Sequence, residues 1–193
     1  MESGISEKEQ LRKKIKTRLS TVSAEEFRLQ GASVAALLRS SPIWSRYGSI
    51  FLFLSMNREI DTQAILEAAL KEGKKVFAPK VNAQSLTFCR ILSAEGPWRK
   101  GPFGLREPAS DESEAAAFPA LILTPALAFD REGNRLGRGA AYYDRLFAEL
   151  DKDKREYFAL GLCMDFQLVN SVPVEVHDKK MHGILTGTGL YIN

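Results

Sequence analysis

Cysteine and long apolar runs are both scarce in this sequence. Cys89 and Cys163 are the two cysteines among 193 residues, and each lies in an apolar run without metal-ligand spacing. This pattern favours core thiols in a reducing compartment. No run approaches the roughly 20 apolar residues that a transmembrane helix needs, and residues 1–10 are polar, without the apolar region of a secretory leader. We therefore expect a soluble cytoplasmic protein with no membrane partner.

The sequence also lacks a strong charge excess. Its 27 Lys and Arg residues nearly balance its 24 Asp and Glu residues, and the formal net charge of +3 is not gathered into one block. Such a balance offers no case for nucleic acid as a partner and suits an anionic small ligand. Repeats and linkers are absent, and 193 residues with 45% hydrophobic content are enough for one core. The prediction is a single domain over residues 1–193, acting as a monomer.

What the sequence does contain is an alternation of helical and strand patterns. Helices are predicted at residues 7–19, from a capping box at residues 23–26 to about residue 39, at 62–72 behind Asp61 as N-cap, and around 143–150. Buried strands are predicted at residues 49–54, 75–78, 86–92, 120–130 and 157–163. The alternation indicates an α/β fold of about six mostly parallel strands with helices on both faces, and an edge that an antiparallel strand can occupy.

The remaining segments carry weaker signals. Three glycines and three prolines predict no regular structure for residues 96–108, where Trp98 and Phe103 either stack on a flat heterocycle or pin the loop to the core. Residues 111–117 resemble a short helix, and residues 151–156 a charged surface turn.

Residues 133–145 form the most informative stretch, with an apolar strand before them and a helical pattern after them. Small residues let backbone N–H groups approach a ligand, and a helix start favours anions. Arg135 and Arg138 add planar cationic donors, and Asp144 is placed to hold a divalent cation beside phosphates. No Walker A or dinucleotide-binding glycine pattern is present. The alternative is an ordinary strand–loop–helix connection with solvated arginines.

Further candidate residues lie where strands end, because ligands of open α/β sheets bind outside the carboxyl ends of the strands. Residues 55–59 follow the first strand, and Lys80 follows the second. Near the start of the chain, Lys8 and Arg12 are four residues apart and project from the same side of the first helix.

Residues 134–139, followed by Tyr142-Tyr143-Asp144, resemble the signature of the 5-formyltetrahydrofolate cyclo-ligase family, also called methenyltetrahydrofolate synthetases. The resemblance covers nearly the whole chain. It includes K-x-x-x-R at Lys8 and Arg12, residues 53–60, a G-[FY]-G-I-x-E-P-like segment ending at Pro108, and a P-x-x-x-H-D-x-x-M-D-x-I-x-T-like segment at residues 173–186.

This resemblance implies a Rossmann-like fold of the NagB/RpiA/CoA-transferase-like kind. It also implies ATP- and Mg²⁺-dependent conversion of 5-formyltetrahydrofolate to 5,10-methenyltetrahydrofolate, with release of ADP and phosphate. The implied catalytic residues are Arg138, Tyr142 and Asp144, and Asp144 is also the implied metal ligand. The implied substrate-binding residues are Leu54, Met56, Glu59, Phe103 and Tyr142. The implied ATP-binding residues are Lys8, Arg12, Arg135, Leu136, Gly137, Arg138, Gly139, Ala140, Ala141, Tyr142 and Tyr143.

Two departures from the family pattern leave alternatives open. Ala140-Ala141 replaces residues that include a glycine, which strains the loop if a positive φ is required there. His182 replaces an aspartate that helps to hold Mg²⁺, and imidazole is a poor Mg²⁺ ligand. The alternatives are a non-catalytic protein that keeps the folate or nucleotide pocket, and a sugar-phosphate isomerase-like enzyme on a related scaffold.

Overall fold

The computed structural model describes residues 6–83, 85–104, 106–109 and 117–193, without the side chain of Phe103. In these ranges the helices are α1 (Glu7–Leu19), α2 (Ala24–Ser40), α3 (Pro42–Arg46), α4 (Gln63–Lys71) and α5 (Tyr142–Lys152). A complete capping box starts α1: the Ser6 hydroxyl accepts from the Glu9 N–H, and the Glu9 carboxylate accepts from the Ser6 N–H. At α2 the Ser23 hydroxyl accepts from the Glu26 N–H.

The central sheet has seven strands within the described residues. They are β1 (Ser49–Phe51), β2 (Lys75–Val81), β3 (Leu86–Ile91), β6 (Ala120–Pro125), β9 (Tyr157–Leu162), β10 (Gly183–Leu185) and β11 (Leu190–Ile192), in the spatial order β11-β10-β9-β6-β1-β2-β3. The five inner strands are parallel, and β3 and β11 add antiparallel edges. The predicted α/β fold is confirmed, with one more strand than expected and both edges antiparallel.

Two small ribbons complete the described strands. β4 (Trp98–Lys100) pairs with β5 (Arg106–Pro108), and β7 (Ala128–Phe129) pairs with β8 (Arg135–Leu136). The prediction that residues 96–108 lack regular structure is therefore wrong. Glycine and proline keep the strands of this ribbon short. The two strands still form backbone hydrogen bonds with each other, which in an irregular loop would be made with water.

Several predicted bounds also need correction. The strand predicted at residues 49–54 ends at Phe51, whereas the one predicted at 75–78 continues through Lys80 to Val81, because β3 pairs with it along its length. Thr62, not Asp61, is the N-cap of α4, although the Asp61 carboxylate accepts from the Gln63 N–H.

Further along the chain, the strand predicted at residues 120–130 divides into β6 and β7. Helix α5 extends into the turn predicted at 151–156. Apart from Ala117, the short helix predicted at 111–117 lies outside the described residues.

The core has two layers, one on each face of the sheet. Ile50 and Leu52 pack into a cluster with α1, α2 and α4, whereas Phe51 packs into a second cluster with Phe147 of α5. This is the period-2 alternation of a strand covered on both faces. Both cysteines are buried, as expected for core thiols. None of the described helices has the length and apolar character needed to cross a bilayer.

Candidate active site

A cavity of about 700 Å³ opens at the carboxyl ends of β6, β1 and β2. The chain passes from β1 to β2 on one side, while β6 pairs with the other side of β1. Ligands of open α/β sheets bind at such a reversal of strand order. The position predicted from the ends of the apolar strands is therefore the position of the cavity.

One side of the cavity, here called the cationic wall, consists of Lys8, Arg12 and residues 135–144. All the residues that the sequence assigns to ATP lie on it and line the cavity. The helix α1 supplies Lys8 and Arg12, and the Nε of Arg12 donates to the Gly137 carbonyl oxygen at 3.1 Å. This bond joins the N-terminal helix to the small-residue loop, although 125 residues separate them in sequence.

Arg135 lies in the two-residue strand β8, not in the loop in which the sequence prediction placed it. Its side chain is 5% exposed, and its Nη2 donates to the Asp144 Oδ1 at 2.7 Å. The Lys179 N–H donates to the same oxygen at 3.2 Å. Asp144 is thereby held in the first turn of α5 with one carboxylate oxygen engaged.

The loop at residues 137–141 combines two left-handed residues with an open helix start. Gly139 has φ of +115°, and Ala141, the N-cap of α5, has φ of +52° without a side-chain capping bond. The strain expected from the Ala140-Ala141 replacement therefore applies to Ala141, while Ala140 lies outside the left-handed region. Without a side-chain cap at Ala141, the first N–H groups of α5 are available to an anion.

Lys8 is held by the segment before β10. Its Nζ lies 2.7 Å from the Asp178 Oδ2 and 3.1 Å from the Glu175 Oε1. Burial lowers the pKa of Lys8, but hydrogen bonds from Lys8 to the two carboxylates outweigh that effect and raise it above its ordinary value. The same bond holds the pKa of Asp178 below its ordinary value against the opposing effect of burial.

Glu175, His177 and Asp178 line the cavity, and the sequence did not predict them as site residues. The H-D pair of the family pattern matches His177-Asp178 and could have indicated them, but the sequence prediction gave that pair no role.

The opposite side, here called the apolar wall, consists of Phe53, Leu54, Met56, Pro79, Val81 and Leu86. Leu54 is 3% exposed, belongs to the core and also lines the cavity. Arg106 lies at the β2–β3 side of this wall. The side chain of Phe103 lies outside the described part of the chain. Trp98 packs on the core and under the Arg106 guanidinium, as in the anchoring interpretation.

Glu59 joins the two walls. Its Oε2 accepts from the Met56 N–H at 3.0 Å, and its Oε1 accepts from the Arg138 Nη2 at 2.9 Å and Nε at 3.2 Å. The sequence assigned Glu59 to folate and Arg138 to ATP. The structure brings the two side chains into one ion pair.

The described lining of the cavity is electrically balanced. The cationic side chains are Lys8, Arg12, Arg106, Arg135 and Arg138, and the anionic ones are Glu9, Glu59, Asp144, Glu175 and Asp178, which makes five of each sign. A ligand with several negative charges must therefore displace ion pairs or bring a cation with it.

Comparison with known proteins decides the family. The family model described as the 5-formyltetrahydrofolate cyclo-ligase family matches residues 4–187. The chain belongs to the 5-formyltetrahydrofolate cyclo-ligase family. It is 30% identical over 189 residues to the 5-formyltetrahydrofolate cyclo-ligase of Mus musculus, with 93% of each chain covered. The NMR structure of Aquifex aeolicus 5,10-methenyltetrahydrofolate synthetase is 30% identical and superposes with a TM-score of 0.79, covering 96% of this chain and 92% of that one.

Within this cyclo-ligase family member, His182 lies away from the cavity. Its Nδ1 accepts from the Ala159 N–H at 2.9 Å, and its ring contacts Tyr157 and Phe158. Burial lowers the pKa of His182, with a smaller opposing effect from the charge of Asp151. Since His182 does not line the cavity, its replacement of an aspartate does not remove a ligand from the described site.

Proposed function

We propose that this chain catalyses the ATP-dependent conversion of 5-formyltetrahydrofolate to 5,10-methenyltetrahydrofolate, ADP and phosphate. The observation that carries the proposal is one cavity with a cationic wall facing an apolar wall, in a chain that matches the cyclo-ligase family over residues 4–187. A nucleotide and a flat heterocycle need these two kinds of surface next to each other. The cytoplasmic location and the monomeric state stay predictions.

The nucleotide phosphates lie along the cationic wall in this proposal. The backbone N–H groups at the start of α5 and the guanidinium of Arg138 donate hydrogen bonds to the phosphates. Arg12 donates to the Gly137 carbonyl oxygen of the same loop, so in this proposal it positions the loop for the phosphates. Lys8 contributes positive charge from a fixed position because two carboxylates hold it.

The folate lies against the apolar wall. Leu54 and Met56 provide contact surface for its ring system, and Glu59 is the hydrogen-bond acceptor at that end. Tyr142 lies in the first turn of α5 and lines the cavity, which supports a role for it in contacting both ligands. A role for Phe103 stays a prediction.

The chemistry follows the family reaction. The formyl oxygen attacks the γ-phosphorus and ADP leaves; N10 then attacks the formyl carbon, and phosphate departs with the former formyl oxygen as N10 loses its proton. Such phosphoryl transfer depends on positioning and charge stabilisation rather than on a protein nucleophile. Arg138 and the α5 N–H groups stabilise the charge that builds up on the transferred phosphoryl group.

Mg²⁺ belongs to the same proposal, and its donor set fits. Asp144 lines the cavity, and its Oδ1 accepts hydrogen bonds from Arg135 and Lys179. In this proposal its other oxygen, Oδ2, is the metal ligand. No group of three or more His, Cys, Asp or Glu side chains among the described residues is arranged for a metal ion. One carboxylate oxygen with phosphate oxygens and waters is the usual environment of Mg²⁺ bound together with a nucleotide. When bound there, Mg²⁺ supplies the positive charge that the balanced lining lacks.

The direct test is the absorbance of methenyltetrahydrofolate after mixing the protein with 5-formyltetrahydrofolate, with and without ATP and Mg²⁺. Product that forms only with ATP and Mg²⁺, together with an equal amount of ADP, supports the proposal. Binding of both ligands by calorimetry without product identifies a non-catalytic member, and product without ATP excludes a ligase.

A further inference from the structure

Arg106 is the cation of the cavity lining that the nucleotide does not account for. It lies on β5, next to Glu107, which is 2% exposed and accepts from the Val81 N–H at 2.9 Å. That buried bond fastens the β4–β5 ribbon to the end of β2. In the order of the sheet, β2 and β6 lie on opposite sides of β1, and β5, which carries Arg106, packs against β2 and β3.

The contacts of Arg106 differ from those of most other cations in the cavity. Lys8, Arg135 and Arg138 each have a carboxylate partner. Arg106 lies over the Trp98 ring, with its Cζ 5.0 Å from the ring centroid, and its Nη2 donates to the Gln63 Oε1 at 3.3 Å. Within the described ranges both partners of this exposed guanidinium are uncharged, and the family motif assigns no residue to its position.

An arginine held this way is prepared to bind an anion. The ring of Trp98 supports one face of the planar guanidinium, which orients its N–H groups without neutralising them. A planar guanidinium can donate two parallel hydrogen bonds to the two oxygens of a carboxylate. Among the described residues, the cavity lining therefore includes a guanidinium that is supported by Trp98 and has no carboxylate partner.

We propose that Arg106 binds the carboxylates of the glutamate tail of the folate, and so makes this edge of the apolar wall the tail subsite. The inference rests on the proposed function, because that function supplies a substrate with two carboxylates at one end. In this proposal its ring system occupies the apolar wall, and the tail extends towards the exposed side chain of Arg106. Arg106 is then a specificity-determining residue for charged tails and takes no part in phosphoryl transfer.

The test is a cycle of two proteins and two substrates. The proteins are the wild type and Arg106→Gln; the substrates are 5-formyltetrahydrofolate and its bis-carboxamide, in which both glutamate carboxylates are amides. For the natural substrate, Arg106→Gln is expected to raise KM roughly three- to tenfold, the range for a partly exposed charge-assisted contact. For the bis-carboxamide, the two proteins are expected to have the same KM. KM for ATP should stay the same throughout.

The control variant is Arg46→Gln, which removes another exposed arginine, one that lies over the Tyr47 ring outside the cavity lining. It should leave both folate KM values unchanged. An equal increase in KM for both substrates in Arg106→Gln means that the loss comes from disturbed packing on Trp98, and the inference is then wrong. No change for either substrate also overturns it. If the wild type forms no methenyltetrahydrofolate at all, the proposed function fails first and the inference with it.

Discussion

The two walls of the cavity are built in opposite ways. The apolar wall uses the ends of β1 and β2, where side chains such as Phe53 and Leu54 are also part of the core. The cationic wall uses irregular backbone with positive φ at Gly139 and Ala141, held by hydrogen bonds and ion pairs. Burial holds the rotamers of Phe53 and Leu54, so this part of the apolar wall is already arranged before a ligand binds. The cationic wall must exchange some ion pairs for phosphate contacts.

The ion pair between Glu59 and Arg138 connects the two walls, so a ligand that breaks it affects both. In the structure each charge satisfies the other across the cavity. In the proposed function, a nucleotide that binds Arg138 leaves the Glu59 carboxylate without this partner on the side assigned to folate. A ligand on one wall therefore changes the electrostatics of the other.

The largest expected effect concerns the charge of the cationic wall. Asp144→Asn should lower kcat/KM by about 100-fold or more, because it removes the carboxylate proposed to bind Mg²⁺. Loss of a group that only supports a metal ligand already costs up to about 100-fold. Steady-state rates over a Mg²⁺ titration measure this effect. The matched control is Asp151→Asn on the same helix, whose carboxylate contacts Lys179 and Tyr157 outside the cavity lining. If Asp144→Asn keeps the Mg²⁺ dependence of the wild type, the metal is held elsewhere.

The second prediction separates the walls. Arg138→Ala should raise KM for ATP by about 10- to 150-fold, corresponding to about 1.5–3 kcal/mol for a lost charge-assisted hydrogen bond, with a much smaller change for folate. Met56→Ala should do the reverse, since Met56 belongs to the apolar wall. Both KM values for both variants are needed. A variant whose two KM values change equally argues against separate subsites.

The third prediction addresses the link between the walls. Glu59→Gln keeps an oxygen for the Met56 N–H but removes the charge that holds Arg138. Nucleotide affinity should then increase roughly two- to fivefold, the size of a partly exposed ion pair, while folate affinity falls. Calorimetric titration with ATP alone and with folate alone measures both. Weaker ATP binding in Glu59→Gln would show that the ion pair orients Arg138 rather than competing for it.

The fourth prediction tests the backbone of the cationic wall. Ala141→Gly should relieve the left-handed strain at φ of +52°. The net gain is about 0.5–1 kcal/mol, because the extra chain entropy of glycine offsets part of the relief. For a chain of this size the melting temperature should rise by about 1–4 °C. Ala140→Gly is the control, and it should produce no gain because Ala140 lies outside the left-handed region.

The smallest expected effect lies far from both walls, at His182. A lowered pKa in the folded state means that the unfolded chain binds the proton more tightly, so stability falls as the pH decreases below about 6.5. Protonation of Nδ1 also removes the acceptor of the Ala159 N–H. His182→Asn should flatten melting temperature against pH between about 5 and 7.

Local patterns predicted much of this molecule. Apolar periodicity located β9 and α1 to within one residue. The residues that the family resemblance implies for the nucleotide all line one wall of the cavity. The β4–β5 ribbon was missed because its glycines and prolines are typical of loops, and only pairing with the other strand stabilises such short strands. Glu175 and Asp178 were missed because their partner, Lys8, is about 170 residues away in sequence.

The sequence by itself determined the alternation of elements, the strand ends that form the site and the residues that carry its charge. These features depend on periodicity and side-chain chemistry, which act over a few residues. Only the tertiary structure decided how the charges are paired: Arg135 with Asp144, Arg138 with Glu59, and Arg106 with no carboxylate among the described residues. Pairing depends on distances across the cavity, and those distances exist only after distant segments have packed on the same sheet.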